Sequence, residues 1–136
     1  MNEKQLQFKI VMDFSQKRPL EKGLLWSTRN QTFSAKDGMT QKGMGMVAGV
    51  SDLIYFKETF CGLEIKQKGK RHSAKHIKQQ LEWGKKITEN GGIWFIVTSL
   101  EGFWALLEDE NITHTDVFTV EDVETMLSKG TKTLVF

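Results

Sequence analysis

The chain has 136 residues and a formal net charge of +2. That length supports one compact domain with a single core and leaves little room for a second, and a composition of 39% hydrophobic and 26% charged residues excludes a disordered or fibrous chain. No apolar run nears the ~20 residues that span a bilayer, the charge-interrupted N-terminal segment predicts no secretory leader, and the lone cysteine, Cys61, allows no internal disulfide, so the expected setting is the cytoplasm, away from any membrane.

In chain order, residues 3–16 place Leu6, Ile10, Val11 and Phe14 at helical spacing, which predicts an amphipathic helix. Pro19 marks the turn that follows, and residues 24–27 read as a short strand. Residues 30–49 are polar and hold Gly38, Gly43, Gly45 and Gly49, so a long loop is expected there. Residues 53–56 and 63–66 read as two strands joined by a turn at 57–60. A basic turn surrounds Gly69, and Ser73 is placed to cap a helix running to Asn90, where Gly91 and Gly92 stop it. Residues 93–98 form a strongly apolar strand. Ser99 would cap a short helix carrying Phe103, Trp104 and Leu107, and Thr119 precedes a last helix at 121–128. Gly130 then leads into a terminal strand over 131–136.

The positive charge is concentrated. Lys66, Lys68, Lys70, Arg71, Lys75, Lys78, Lys85 and Lys86 fall within one stretch that contains a single acid, Glu82. Such a run suits salt-sensitive binding to a phosphate backbone, or simply a solvated face. Inside the neighbouring segment GVSDLIYFKETFCGLEIK, strand alternation turns Leu63 and Ile65 one way and Glu64 and Lys66 the other. Asp52 opens the preceding strand, so a hairpin would set its carboxylate beside Glu64. Two carboxylates satisfy a hard divalent cation such as Mg²⁺, and an ammonium on the same face, Lys66, would orient a water and stabilise a phosphorane-like transition state. The competing reading is a half-exposed strand with an i,i+2 salt bridge.

The surroundings of this pattern resemble a known family, the virus-type replication-repair nuclease (VRR-NUC) domain, a branch of the PD-(D/E)xK nuclease superfamily. The resemblance spans residues 3–103 and rests on GVSDLI, LEIK, the basic turn GKRHS, the Gln80–Trp83 element and GGIWFIVTS, in the same order and spacing. It implies a restriction-endonuclease-like α/β core, with a mixed sheet flanked by helices, and a Mg²⁺- or Mn²⁺-dependent DNA endonuclease. By position, Asp52 and Glu64 would bind the metal together with the backbone carbonyl of Ile65, while Lys66 and Gln80 would assist catalysis. Glu3 matches a glutamate that the family brings to the site from its first helix; an acid favoured at a helix N-terminus explains it equally. Gln79 competes with Gln80, but Gln80 has the family's spacing to Trp83. Lys68, Lys70, Arg71, Lys75 and Lys78 would contact DNA. Stand-alone members imply a phage-type homodimer acting on branched, Holliday-junction-like DNA, and the alternative is a non-catalytic DNA-binding module of the same fold. One departure is Ser51, where the family carries proline before the aspartate. Residues 104–136 have no counterpart and are read as an addition within one domain, 1–136.

Other patterns carry less. The glycine-rich segment 43–49 precedes a strand, whereas a dinucleotide-binding loop must follow one; it reads as a loop that approaches DNA or as a tight entry to the strand. His72 and His76 are four apart but lack a third ligand for zinc nearby in sequence and read as DNA-facing or solvated, Cys61 and the tryptophans read as core residues, and Arg29 and Asn30 could reach phosphate or simply face solvent.

Overall fold

The computed structural model describes residues 1–28, 35–109 and 111–136. It opens with helix α1, Glu3–Lys17, whose N-terminus carries a reciprocal capping box between Asn2 and Gln5. A 3₁₀ turn at Pro19–Glu21 follows, then strand β1, Leu25–Ser27. Helix α2 covers Ala35–Gly43, strand β2 Leu53–Phe56 and strand β3 Phe60–Ile65. Strand β4, Arg71–Ser73, leads directly into helix α3, Ala74–Glu89. Strand β5 is Ile93–Val97, helix α4 Leu100–Glu108, strand β6 Val117–Phe118, helix α5 Val120–Ser128 and strand β7 Thr133–Val135. Among the described residues no helix is long and apolar enough to cross a membrane.

Five strands form a mixed sheet in the order β1-β2-β3-β5-β6. Only β3 and β5 are parallel, and α3 makes the crossover that a parallel pair requires; the other neighbours are antiparallel. Alternation along the strands divides the apolar side chains between two faces. Leu53, Leu63, Ile65, Phe95 and Val97 pack with Leu6, Ile10 and Phe14 of α1 and with Phe103 of α4. Trp94 and Ile96 face the other way, onto Ile77 and Leu81 of α3 and Val120 and Val123 of α5. Helix α3 lies close because Gly84 carries no side chain: a Cβ there would stand 2.5 Å from the Trp94 ring.

Several expectations needed correction. The stretch read as loop at 30–49 contains α2, in which Ala, Lys, Met and Gln favour helix despite Gly38. Strand β3 begins at Phe60, inside the expected turn. The basic turn around Gly69 includes β4, which pairs with β7 in a separate antiparallel ribbon, Arg71 opposite Val135 and Ser73 opposite Thr133. Ser73 stands at the N-cap of α3 without making a side-chain cap bond, unlike Ser99, which accepts from the Gly102 amide. Residues beyond 103 join both cores: Leu106 and Val117 the first, Val120, Val123, Leu134 and Phe136 the second.

Candidate active site

The β2–β3 hairpin assembles the site. Leu53 pairs with Leu63, so the residue before Leu53 falls beside the residues after Leu63. Asp52 Oδ2 accepts a hydrogen bond from the Ile65 amide at 2.8 Å, which fixes the carboxylate against β3. Its backbone is held from the other side by Thr28, whose amide donates to Asp52 O at 3.2 Å and whose hydroxyl donates to Ser51 O. The stiffness that a proline at position 51 would give therefore comes from Thr28. Ser51 itself is buried against Gly62, where a Cβ would approach its Oγ to 2.8 Å. The glycine segment ends similarly: Gly49 has φ +84°, and a Cβ there would lie 2.8 Å from the Gln79 carbonyl, so this is a tight entry to the strand packed on α3.

Glu64 is 1% exposed and Lys66 4%, so the half-exposed strand does not describe this structure. Glu64 Oε1 accepts from Gln80 Nε2 at 2.9 Å and lies 3.9 Å from Lys66 Nζ. No donor reaches Glu64 Oε2 among the described residues, and Gln80 Oε1 is likewise buried without a partner. Burial holds the Glu64 carboxyl well above its ordinary pKa, with Asp52 and then Glu3 adding repulsion and Lys66 opposing them. Of the two glutamines considered, Gln80 is the one at Glu64; Gln79 is exposed. Glu3, in the first turn of α1, accepts from the Gln67 amide at 3.4 Å and lies 3.8 Å from His72 Nδ1. Four predicted side chains, Asp52, Glu64, Lys66 and Gln80, thus meet directly, with Glu3 at their edge, and Ile65 joins them through its backbone.

The cationic side chains spread more widely. Lys70, Arg71, Lys75 and Lys78 are exposed along β4 and the first turns of α3. An open groove of about 440 Å³ is lined by Ser73, Lys75, His76, Lys78, Gln79 and Glu82. Lys68 instead forms an ion pair with Asp116 at 2.8 Å and borders another cavity, with Lys9, Gln67 and Ser99. Arg29 and Asn30 lie outside the described residues. Cys61 is buried and its thiol pKa is pushed up to about 12 by burial, which removes it as a nucleophile.

Sequence reasoning missed one residue of this arrangement and left another without a partner. Thr28 acts through long-range pairing with Ser51 and Asp52 and has no local signal. His76, read from the sequence as DNA-facing or solvated, stands 3.3 Å from Gln80 Nε2; this contact was not anticipated, and the i,i+4 spacing on one helix was the available clue.

A divalent cation fits the donor set. Mg²⁺ is held by one or two carboxylates, with waters and phosphate oxygens completing the shell. Asp52 and Glu64 supply the carboxylates, and the free Glu64 oxygen supplies an acceptor that lacks a donor. Among the described residues no group of three or more His, Cys, Asp or Glu side chains is placed to hold a metal.

No protein-family model matches the sequence, and no curated protein matches it. Among solved structures, a VRR_NUC domain protein is similar, with a TM-score of 0.61 and 20% sequence identity over 79% of this chain and 86% of that one. The resemblance carried by the motifs is thus matched by a likeness of architecture, and the chain has the restriction-endonuclease-like α/β fold of that protein.

Proposed function

We propose that the protein is a Mg²⁺- or Mn²⁺-dependent DNA endonuclease, acting as a homodimer on branched DNA in the cytoplasm of a bacterial or phage-infected cell. The observation that carries this reading is Glu64, a buried carboxylate beside Asp52 with one oxygen that no donor reaches among the described residues. Leaving such a group unsatisfied costs about 1–3 kcal/mol or more, and a bound cation offsets that cost.

Asp52, Glu64 and the Ile65 carbonyl would hold the cation. Bound there, it lowers the pKa of its water and neutralises charge developing on the phosphate oxygens. Lys66 brings a buried ammonium to the same point, where it stabilises negative charge that grows in the transition state. Gln80 fixes Glu64 through one amide hydrogen, and its unpartnered Oε1 offers an acceptor that orients the attacking water. Glu3 adds a carboxylate from α1. Lys70, Arg71, Lys75 and Lys78, together with Lys68 when it leaves Asp116, neutralise the DNA backbone. A dimer would bring two such sites to one junction and cut both strands; this step rests on the resemblance.

The test is incubation with four-way junction, flap and duplex DNA in Mn²⁺, in Ca²⁺ and in chelator. Cleavage is expected in Mn²⁺ or Mg²⁺ alone, and Asp52→Ala or Lys66→Ala should lower the rate by about 10²–10³-fold. Undiminished cleavage in either variant overturns the site assignment. Binding without cleavage across several metals would identify a non-catalytic DNA-binding module.

A further inference from the structure

His76 sits on the exposed side of α3, one turn before Gln80. Its Nε2 lies 3.3 Å from Gln80 Nε2, and that same amide nitrogen donates to Glu64 Oε1 at 2.9 Å. An amide NH₂ group has two hydrogens and donates with both. One serves Glu64, so the other meets the imidazole only if His76 Nε2 carries a lone pair. With Glu64 ionised, as it is when it holds a cation, turning the amide over would press its oxygen against a carboxylate oxygen. The ring proton therefore resides on Nδ1, which makes no hydrogen bond among the described residues.

The ring borders the groove of about 440 Å³ shared with Ser73, Lys75, Lys78 and Gln79. A fixed N–H donor between two exposed ammonium groups suits a phosphate oxygen. Glu82, one helical turn beyond Lys78, is the acidic side chain of the lining and opposes an anion at that end.

We propose that His76 is a substrate-contacting residue: an N–H donor, locked by Gln80, that binds a DNA phosphate in the groove adjoining the one that is cleaved. The inference rests on the nuclease reading above and deepens it. A solvated histidine rotates and exchanges its proton between both nitrogens, whereas Gln80 removes that freedom here. One amide thereby sets both the Glu64 carboxylate and the DNA contact, so backbone binding and the reactive centre are held in register.

Two measurements on the full-length protein test this. The first compares KM and kcat for DNA cleavage in Mn²⁺. His76→Ala should raise KM about tenfold, the worth of one charge-assisted hydrogen bond, with kcat changed by less than about twofold. His76→Asn, which keeps an N–H donor close to the Nδ1 position, should recover most of that loss; His76→Gln, whose donor sits at the Nε2 position, should not. The second reads the His76 tautomer by imidazole ¹⁵N NMR in Mg²⁺ without DNA, so that Glu64 is held ionised. The Nδ1–H form is expected in the parent protein, and Gln80→Leu should shift it toward the ordinary Nε2–H form. An Nε2–H tautomer in the parent overturns the proposal whether or not DNA is cut. A parent enzyme that cleaves DNA, with KM unchanged in His76→Ala, overturns the phosphate contact. The expected tautomer in a protein that neither binds nor cleaves DNA overturns the nuclease reading and the contact with it, leaving the His76–Gln80 bond as a structural one.

Discussion

Glu64 shows how one side chain ties stability to chemistry. Burial first, then repulsion from Asp52, raises its pKa above the ordinary 4.5. The folded chain consequently holds the proton more tightly than the unfolded chain. The stability this provides is complete below pH 4.5 and is lost as pH rises through the folded pKa. Asp13, Glu21 and Asp116 are shifted downward, by hydrogen bonds to Trp104, Tyr55 and Lys68, so their contribution is already complete above about pH 4.5. The difference between the parent and Glu64→Gln isolates the buried group. In chelator, the parent should melt at progressively lower temperature than Glu64→Gln as pH is raised. At pH 8 the variant should be the more stable by about 1–3 kcal/mol, since it removes the carboxylate charge that burial and Asp52 disfavour. Added Mn²⁺ should reverse the order, with a stabilisation of the parent that grows with pH. Thermal denaturation across pH, with and without metal, checks all three outcomes.

At the scale of elements, α3 decides whether the site forms, because it carries both Gln80 and Gly84. Alanine normally improves a helix over glycine by about 1 kcal/mol. Here the added methyl would meet the Trp94 ring at 2.5 Å, within a core where that ring is 1% exposed and has nowhere to move. Overpacking of this kind costs about 1–3 kcal/mol, so Gly84→Ala should be destabilising overall in urea titration and should weaken cleavage by lifting Gln80 from Glu64. The elements legible in the sequence are those whose signal is local. The apolar spacing of Leu6, Ile10 and Phe14 outlined α1, the glycine pair at 91–92 closed α3, and the run Ile93–Val97 marked β5. Helix α2 was hidden by Gly38 and by weak apolar periodicity. Strands β4 and β6 are too short to declare themselves, since each is defined by a partner distant in sequence, β7 or β5. The candidate site divides in the same way: Asp52, Glu64 and Lys66 were marked by strand alternation and Gln80 by the family resemblance, while Thr28 depended on tertiary pairing and the His76 contact on the rotamer that Gln80 adopts.

Across the whole molecule, the net charge of +2 conceals a strongly uneven surface. Each lysine that neutralises a phosphate adds close to one unit to the slope of log affinity against log salt. Replacing Lys75 and Lys78 together by alanine should therefore reduce that slope by up to about two and weaken binding to the same extent on every DNA sequence. Fluorescence anisotropy in Ca²⁺ over a range of salt would measure both effects. The same surface depends on the pairing of β4 with β7, in which Gly69 donates to Phe136 O, Ala74 to Lys132 O, and the His72 ring packs on Phe136. A ribosome synthesising this chain delivers β4 well before β7, so the basic turn stays without its supporting strand until Thr133–Val135 has been made.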